Sequence, residues 1–371
     1  MKFIVLGGAG DMGSRAVEDL VNSEGVTRVT IADRNVDAAR QLADRLQGKG
    51  PEVDVKTVDA FDHAGLVEAI RGYDVAASAL GPFFIFESRL VRAAIEAGVD
   101  YASICDEWES ADTVIEQFHD EAHKKDVTVI TGLGTSPGLS NVAVRLAAQD
   151  MDKTKRADIY VFQPLEGGGG PAVVKHMLHI ITGDKVLWRG GKRKMIKALS
   201  EDRVVEFPKY GEIKTWNMGH SEPATIPRYI PGIEEVNFFM GLGPGAGWFI
   251  KPAQWGLFNN KRVAAVCARI ISFIEQIAGG EPEWGAVRID VWGEKDGKEV
   301  HTILCGIGQM REATGLSLSV GAQMLAKKQI LTEEGGVYAP EATIEPHTFI
   351  DQIKKRGIEA FENIEMTKPV A

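Results

Sequence analysis

The chain has 371 residues, 44% of them hydrophobic, and a formal net charge of −10. That length predicts two domains with sizeable cores. The acidic balance, with no basic stripe, excludes nucleic acid as a partner. No apolar stretch reaches membrane-spanning length, and the short basic patch Lys192-Arg193-Lys194 reads as a solvated face.

The chain enters an apolar run at once, residues 3–6, which reads as a fully buried strand. This leaves no room for a signal peptide. The run stops at Gly7-Gly8-Ala9-Gly10-Asp11-Met12-Gly13, and a helical pattern follows with Ala16, Val17, Leu20 and Val21 on one face. Gly8, Gly10 and Gly13 fit a GxGxxG pattern. In the order strand, turn, helix, those glycines allow a tight turn, close backbone approach to a pyrophosphate and helix packing on the strand. The unpaired N–H groups that open the helix, around Asp11 and Met12, face the anion. A second strand, residues 28–32, ends at Asp33, twenty positions beyond Gly13. A carboxylate there accepts hydrogen bonds from the adenosine ribose and repels a 2′-phosphate. NAD is therefore the expected cofactor, while Arg34 and Asn35 beside it leave NADP open.

Helix and strand then alternate. A helix is predicted over 36–47, a strand over 53–59 ending at Asp59, a helix over 64–71 and a strand over 73–80. Asp59 is placed either near the adenine or as a helix cap. Ala79, Gly81 and Pro82 close the fourth strand, at the carboxyl edge where ligands bind, on the ribose and nicotinamide side. A helix over 88–97, a strand over 101–105, a helix over 110–125 and a strand over 127–130 complete a doubly wound parallel sheet, the Rossmann arrangement. The glycine-rich stretch 132–141 then meets a helix over 139–149. It is either a second place where helix N–H groups face a ligand or a turn capped by Ser136 or Ser140.

Beyond residue 158 the pattern changes. Strands are predicted over 159–163, 204–207, 212–217, 236–239 and 286–292, broken by Gly/Pro-rich loops at 167–171 and 241–247, with a helix over 263–278. Asp296-Gly297, between runs 287–292 and 300–304, signals a hairpin. This reads as an α+β substrate domain with a mainly antiparallel sheet. An amphipathic helix over 314–328, the segment 337–340 and a helix over 349–356 close the chain. The expected domains are 1–140 (dinucleotide binding), 141–310 (substrate binding and dimerisation) and 311–371, packing back on the first. Cys105, Cys267 and Cys305 lie far apart, which points away from a disulfide framework and towards a reducing, cytoplasmic setting. No metal site is expected. His119 and His123, four apart, read as a solvated helix face.

The chain resembles the saccharopine dehydrogenase family. The resemblance rests on GGAGDMG (7–13), ALGPF (79–83), GTSPGLSN (134–141), GHSEPATIPR (219–228), ATGLSLSVGAQML (313–325) and the ending GGVYAPEATIEPHTFIDQIKKRGI (335–358). The ending is similar to the lysine 6-dehydrogenase branch and to saccharopine reductases. This implies a Rossmann domain with an inserted substrate domain, a homodimer, and hydride transfer at a carbon bearing nitrogen in an amino acid or amine. His220, Ser221 and Glu222 depart from the lysine-oxidising branch, as does the long glycine run 167–170, and so does the stretch 101–108.

Oxidising an amine requires a base to take a proton from nitrogen before hydride leaves. Five residues are candidates for the chemistry. Asp106 follows a parallel strand at the cleft mouth. His220 and Glu222, two apart in a Gly/Pro-flanked segment, can pair as proton carrier and partner. Arg228 can clamp a carboxylate bidentately, and His176 follows the glycine run. Cys105 reads as a buried small apolar group. Two other functions compete: a dehydrogenase of a hydroxy or aldehyde carbon, and a non-catalytic dinucleotide-binding regulator.

Overall fold

The computed structural model describes residues 1–164, 176–243, 247–259, 263, 266–267 and 284–370. These divide into two units, 1–142 with 311–356 and 143–310 with 357–371. The glycine run 167–170, residues 244–246 of the expected loop and most of the expected helix 263–278 lie outside the described residues.

The first unit begins with β1 (Lys2–Leu6), α1 (Asp11–Val21), β2 (Arg28–Asp33), α2 (Val36–Leu46), β3 (Glu52–Thr57) and α3 (His63–Ile70). It continues with β4 (Val75–Ser78), α4 (Phe83–Ala97), β5 (Asp100–Ser103), α5 (Trp108–Lys124), β6 (Thr128–Thr131) and the start of α6 (Leu139–Gln149). Strands β1, β4, β5 and β6 are buried almost throughout because helices cover both faces of the sheet. That burial explains the apolar, non-alternating runs of β1 and β4. Helix α4 starts at Phe83, five residues before the predicted position 88, with Pro82 as its extended N-cap. Proline is well suited to that entry because its ring presets φ and the first turn needs no N–H. The third strand stops at Thr57, so Asp59 lies beyond it and accepts the Phe61 N–H at 2.9 Å. Asp62, not Asp59, caps α3, accepting from Gly65 N at 3.1 Å.

Within the second unit lie β7 (Lys153–Phe162), β8 (Asp184–Arg189), β9 (Arg193–Lys197), β10 (Asp202–Phe207), β11 (Gly211–Asn217) and α7 (Glu222–Tyr229). They are followed by β12 (Glu235–Gly241), α8 (Gly247–Gln254), β13 (Trp284–Lys295) and β14 (Lys298–Gln309). The sheet runs β10-β11-β12-β7-β13-β14, with β8 joining β12 and β9 joining β8. It is antiparallel apart from the parallel pair β7–β12. Asp296 and Gly297, with φ of 52° and 71°, turn β13 into β14 as their sequence predicts. Strands β8 and β9 form a hairpin that the sequence reading does not include, and Arg193 and Lys194 are exposed on it.

Period-2 alternation sorts the faces of this second sheet. Ala157, Ile159 and Val161 on β7 share an apolar side with Val236 and Phe238 on β12 and with Val287, Ile289 and Val291 on β13. The opposite side carries Asp158, whose carboxylate accepts from Arg156, from Arg203 at 2.6 Å, from Tyr160 at 2.9 Å and from Asn237 at 2.8 Å. Burial pushes this acid up, but the Arg156 hydrogen bond and the Arg203 and Arg156 charges outweigh it and hold it below the usual carboxylate range.

The C-terminal elements are α9 (Met310–Ala326), β15 (Gly336–Tyr338), α10 (Pro340–Thr343) and α11 (Pro346–Lys354). Strand β15 extends the first sheet beside β6, giving the parallel order β15-β6-β5-β4-β1-β2-β3. His119 and His123 are not simply solvated. The His119 Nδ1 lies 3.1 Å from Val337 O within β15, and the His123 Nδ1 lies 3.2 Å from Gly335 O just before it, so both hold this strand. Residues 357–370 depart from the expected packing on the first domain. Cys305 and Phe361 exchange two backbone hydrogen bonds of 2.8 Å, and this pairing places the tail in the second unit on the edge strand β14.

Candidate functional site

At the carboxyl edge of the first sheet, β1 delivers the chain into Gly7–Gly10 and α1 opens at Asp11. Gly10 is the N-cap, and no side chain caps the helix, so its opening N–H groups are not taken by a capping oxygen. A Cβ on Gly13 would fall on the carbonyl oxygen of Gly7, which is why the helix can approach the loop so closely. A Cβ on Gly8 would lie 2.8 Å from Val5 O. Asp33, the last residue of β2, points its carboxylate at this loop. Its oxygens accept from Ala9 N at 3.1 Å and from Asn35 N at 2.9 Å, while Asn35 caps α2. Ala79 follows β4, its N–H bonded to Leu6 O at 2.9 Å, and the Ala79–Leu80 backbone lies against Gly7. The residues present thus fit a dinucleotide: a cradle that a Cβ would fill, uncapped helix N–H groups for a pyrophosphate and a carboxylate for ribose hydroxyls.

Beyond β5 and β6 the same edge holds acids. Asp106 is half-buried. Glu107 is buried and accepts the Phe84 N–H at the start of α4. Glu87, on α4, is buried among the hydroxyls of Tyr101, Ser103 and Thr131. The Cys105 thiol is pushed well up by burial, then by the Glu87 and Glu107 charges, so it is no nucleophile at neutral pH. The stretch 132–141 closes on itself. Gly134 N bonds to Pro137 O at 2.8 Å, and Asn141 Oδ1 accepts from Gly138 N at 2.9 Å. The Asn141 amide then donates to Glu341 at 2.8 Å, joining the GTSPGLSN segment to α10.

In the second unit, His220 and Glu222 meet as their spacing predicts. The His220 Nδ1 lies 2.6 Å from the Glu222 Oε2, with exposures of 2% and 0%. The ring stacks on Phe238 of β12 at 4.0 Å between centroids and 6° between planes. Stacking and the carboxylate together fix the imidazole, with Nδ1 facing Glu222. The His176 ring lies edge-on, 6.5 Å from His220. Arg228 lies six residues beyond Glu222 on the same helix. It is exposed in the last turn of α7, and its Nε donates to Ala224 O of its own helix at 3.2 Å.

Among the other cofactor candidates, Asp11 and Arg34 are exposed, Met12, Gly81 and Pro82 are half-buried, and Asp59 is exposed beyond β3. Sequence reasoning passes over Glu87 and the buried Lys185, whereas Glu107 follows β5 beside Asp106, as its sequence position predicts. A signal for Glu87 exists: it occupies a core position of α4, in step with Phe83, Leu90, Val91 and Ala94.

Comparison with known proteins bears on both units. Residues 3–132 match the family model of the saccharopine dehydrogenase NADP binding domain. The chain is 22% identical over 309 residues to a carboxynorspermidine synthase of Vibrio cholerae, covering 75% of this chain and 74% of that protein. It is 24% identical over 254 residues to a carboxyaminopropylagmatine dehydrogenase of Synechocystis, covering 65% of this chain and 62% of that one. Among solved structures, apo saccharopine dehydrogenase (L-Glu forming) from Saccharomyces cerevisiae superposes with a TM-score of 0.69 at 15% identity over 100% of both chains, so the two share a fold.

Proposed function

We propose that this chain, whose residues 3–132 are a saccharopine dehydrogenase NADP-binding domain, is an NAD(P)-dependent oxidoreductase acting at a carbon bearing nitrogen. The observation that carries the reading is the glycine loop, with its uncapped helix start and the Asp33 carboxylate aimed at it. The cofactor supplies hydride chemistry, and the chain's own residues bind, orient and move a proton. Asp33 favours NAD over NADP, because a carboxylate beside a 2′-phosphate repels it.

The substrate we propose is a carboxylated amine, formed in the reductive direction from an amine and an aldehyde. The names of the two relatives, which concern carboxylated polyamine-like compounds, support that class. His220, held by Glu222, is the proposed proton carrier, with Asp106 and His176 as substrate contacts. The chain works as a homodimer in the cytoplasm on this reading, and among the described residues no helix is long and apolar enough to cross a membrane.

Initial rates test the reading directly. Purified protein should oxidise NADH or NADPH when given an aldehyde together with a diamine or amino acid, and not with the aldehyde alone. Turnover with the aldehyde alone, or with hydroxy acids in the reverse direction, would replace the carbon–nitrogen reading with a carbon–oxygen one.

A further inference from the structure

Beneath the carboxyl edge of the first sheet lies an acid that the proposed reaction does not use. Glu87 on α4 is fully buried. Its Oε1 accepts from the hydroxyls of Ser103 at 2.5 Å and Thr131 at 3.1 Å, and its Oε2 accepts from Tyr101 at 3.1 Å. Ser103 and Thr131 are the last residues of β5 and β6, so one carboxyl ties together the two strand ends that lead into 104–107 and 132–138. Helix α4 itself starts from the Gly81–Pro82 turn, on the side proposed for the nicotinamide.

Packing alone does not call for an acid here, since glutamine has the same shape. Three hydroxyl donors favour the ionised form, while burial and the neighbouring Glu107 charge favour the neutral one. The other titratable groups facing it, Tyr101 on β5 and Cys105 just beyond it, are themselves pushed well up by burial and so stay neutral. Burial is the largest influence on Glu87 and moves it up to about 7. A group balanced in this way responds to any further charge placed on the rim above it.

We propose that Glu87 is a proton-holding residue linked to the charge of the bound nicotinamide. The positively charged ring of the oxidised cofactor would favour the carboxylate, and with the neutral ring of the reduced cofactor the same oxygen would take a proton from the buffer acid. One proton moves between the Glu87 carboxyl and the buffer, and no other bond changes. The inference rests on the dinucleotide reading of the glycine loop.

Titration calorimetry of the full chain, in buffers of different ionisation enthalpy between about pH 6 and 8, counts the protons exchanged on binding. Wild-type protein should release protons on binding NAD+ and fewer on binding NADH. Its NAD+ affinity should rise with pH by up to about tenfold per unit, the limit for one linked proton. Glu87→Gln should bind both cofactors without that difference. Equal proton release in wild type and variant overturns the proposal and leaves the dinucleotide reading standing. Failure of folded wild-type protein to bind either cofactor overturns both. Where the variant does not fold, carboxyl NMR of 13C-labelled wild type decides. A glutamate that titrates near neutrality, with a midpoint that falls when NAD+ is added, supports the proposal. Glutamate titrations indifferent to NAD+ overturn it.

Discussion

A single carboxylate at Asp33 links the end of β2 to the glycine loop, accepting from Ala9 N on one oxygen and from Asn35 N on the other. Asp33→Ala should weaken NAD binding by roughly 1–3 kcal/mol, the scale of charge-assisted hydrogen bonds, and calorimetric affinities that do not change would remove Asp33 from the cofactor site. His220 makes a different contribution. Its ring is held by Phe238 and Glu222. His220→Ala should therefore lower kcat by about 10²-fold or more, the usual weight of a general acid–base group, with cofactor affinity nearly unchanged. Equal turnover in the two proteins would show that another group carries the proton. The pairing of His220 with Glu222 was legible from their spacing. The bond from Arg228 Nε to Ala224 O of its own helix was not, because only the folded helix brings the two together.

Elements were legible wherever one period dominated. Helix α6 spans the residues that its pattern predicts, and β2 differs from its prediction by one residue, Asp33. The hairpin β8–β9 was not read, although Gly190-Gly191 between its strands, with φ of 62° and 69°, is itself a hairpin signal. Its strands lack clean alternation, since β9 is almost wholly solvent-facing. Close approach between elements is a tertiary property. Helix α9 lies against α1 at Gly315, where a Cβ would stand 2.7 Å from Met12 O, and Asp19 of α1 binds both Ser319 at 2.6 Å and Arg356 at 2.7 Å. Helix α1 meets its own glycine loop in the same manner at Gly13. Gly13→Ala should push α1 off the loop, destabilise the first unit by about 1–3 kcal/mol, as overpacking does, and lower NAD(P) affinity. Thermal unfolding and cofactor titration read the two effects, and a variant with wild-type values for both would show that the approach is not needed.

At the scale of the molecule, burial of Glu87 makes folding depend on pH. Its folded value, pushed up to about 7 by burial, lies above the 4.5 of a free glutamate. Its contribution is therefore complete below the unfolded value and is lost as pH rises through the folded one. Over that window the first unit should lose roughly 3 kcal/mol of stability from this group alone. Chemical denaturation of wild type and Glu87→Gln between about pH 4.5 and 8 measures it. The variant should lack the decline, and parallel curves would show that Glu87 titrates alike in the folded and unfolded chain, so that burial does not raise it.

By itself the sequence determined the alternation of strand and helix, the glycine cradle with its acid and the change of pattern near residue 158. Each is written in neighbouring residues and follows from local sterics and periodicity. Only the tertiary structure decided which distant groups meet. It brought Tyr101, Ser103 and Thr131 around Glu87, laid Glu341 on Asn141 and paired residue 361 with Cys305 on an edge strand. The reason is physical: a buried polar group must find its partner wherever the fold places one, and that partner's position along the chain carries no local mark.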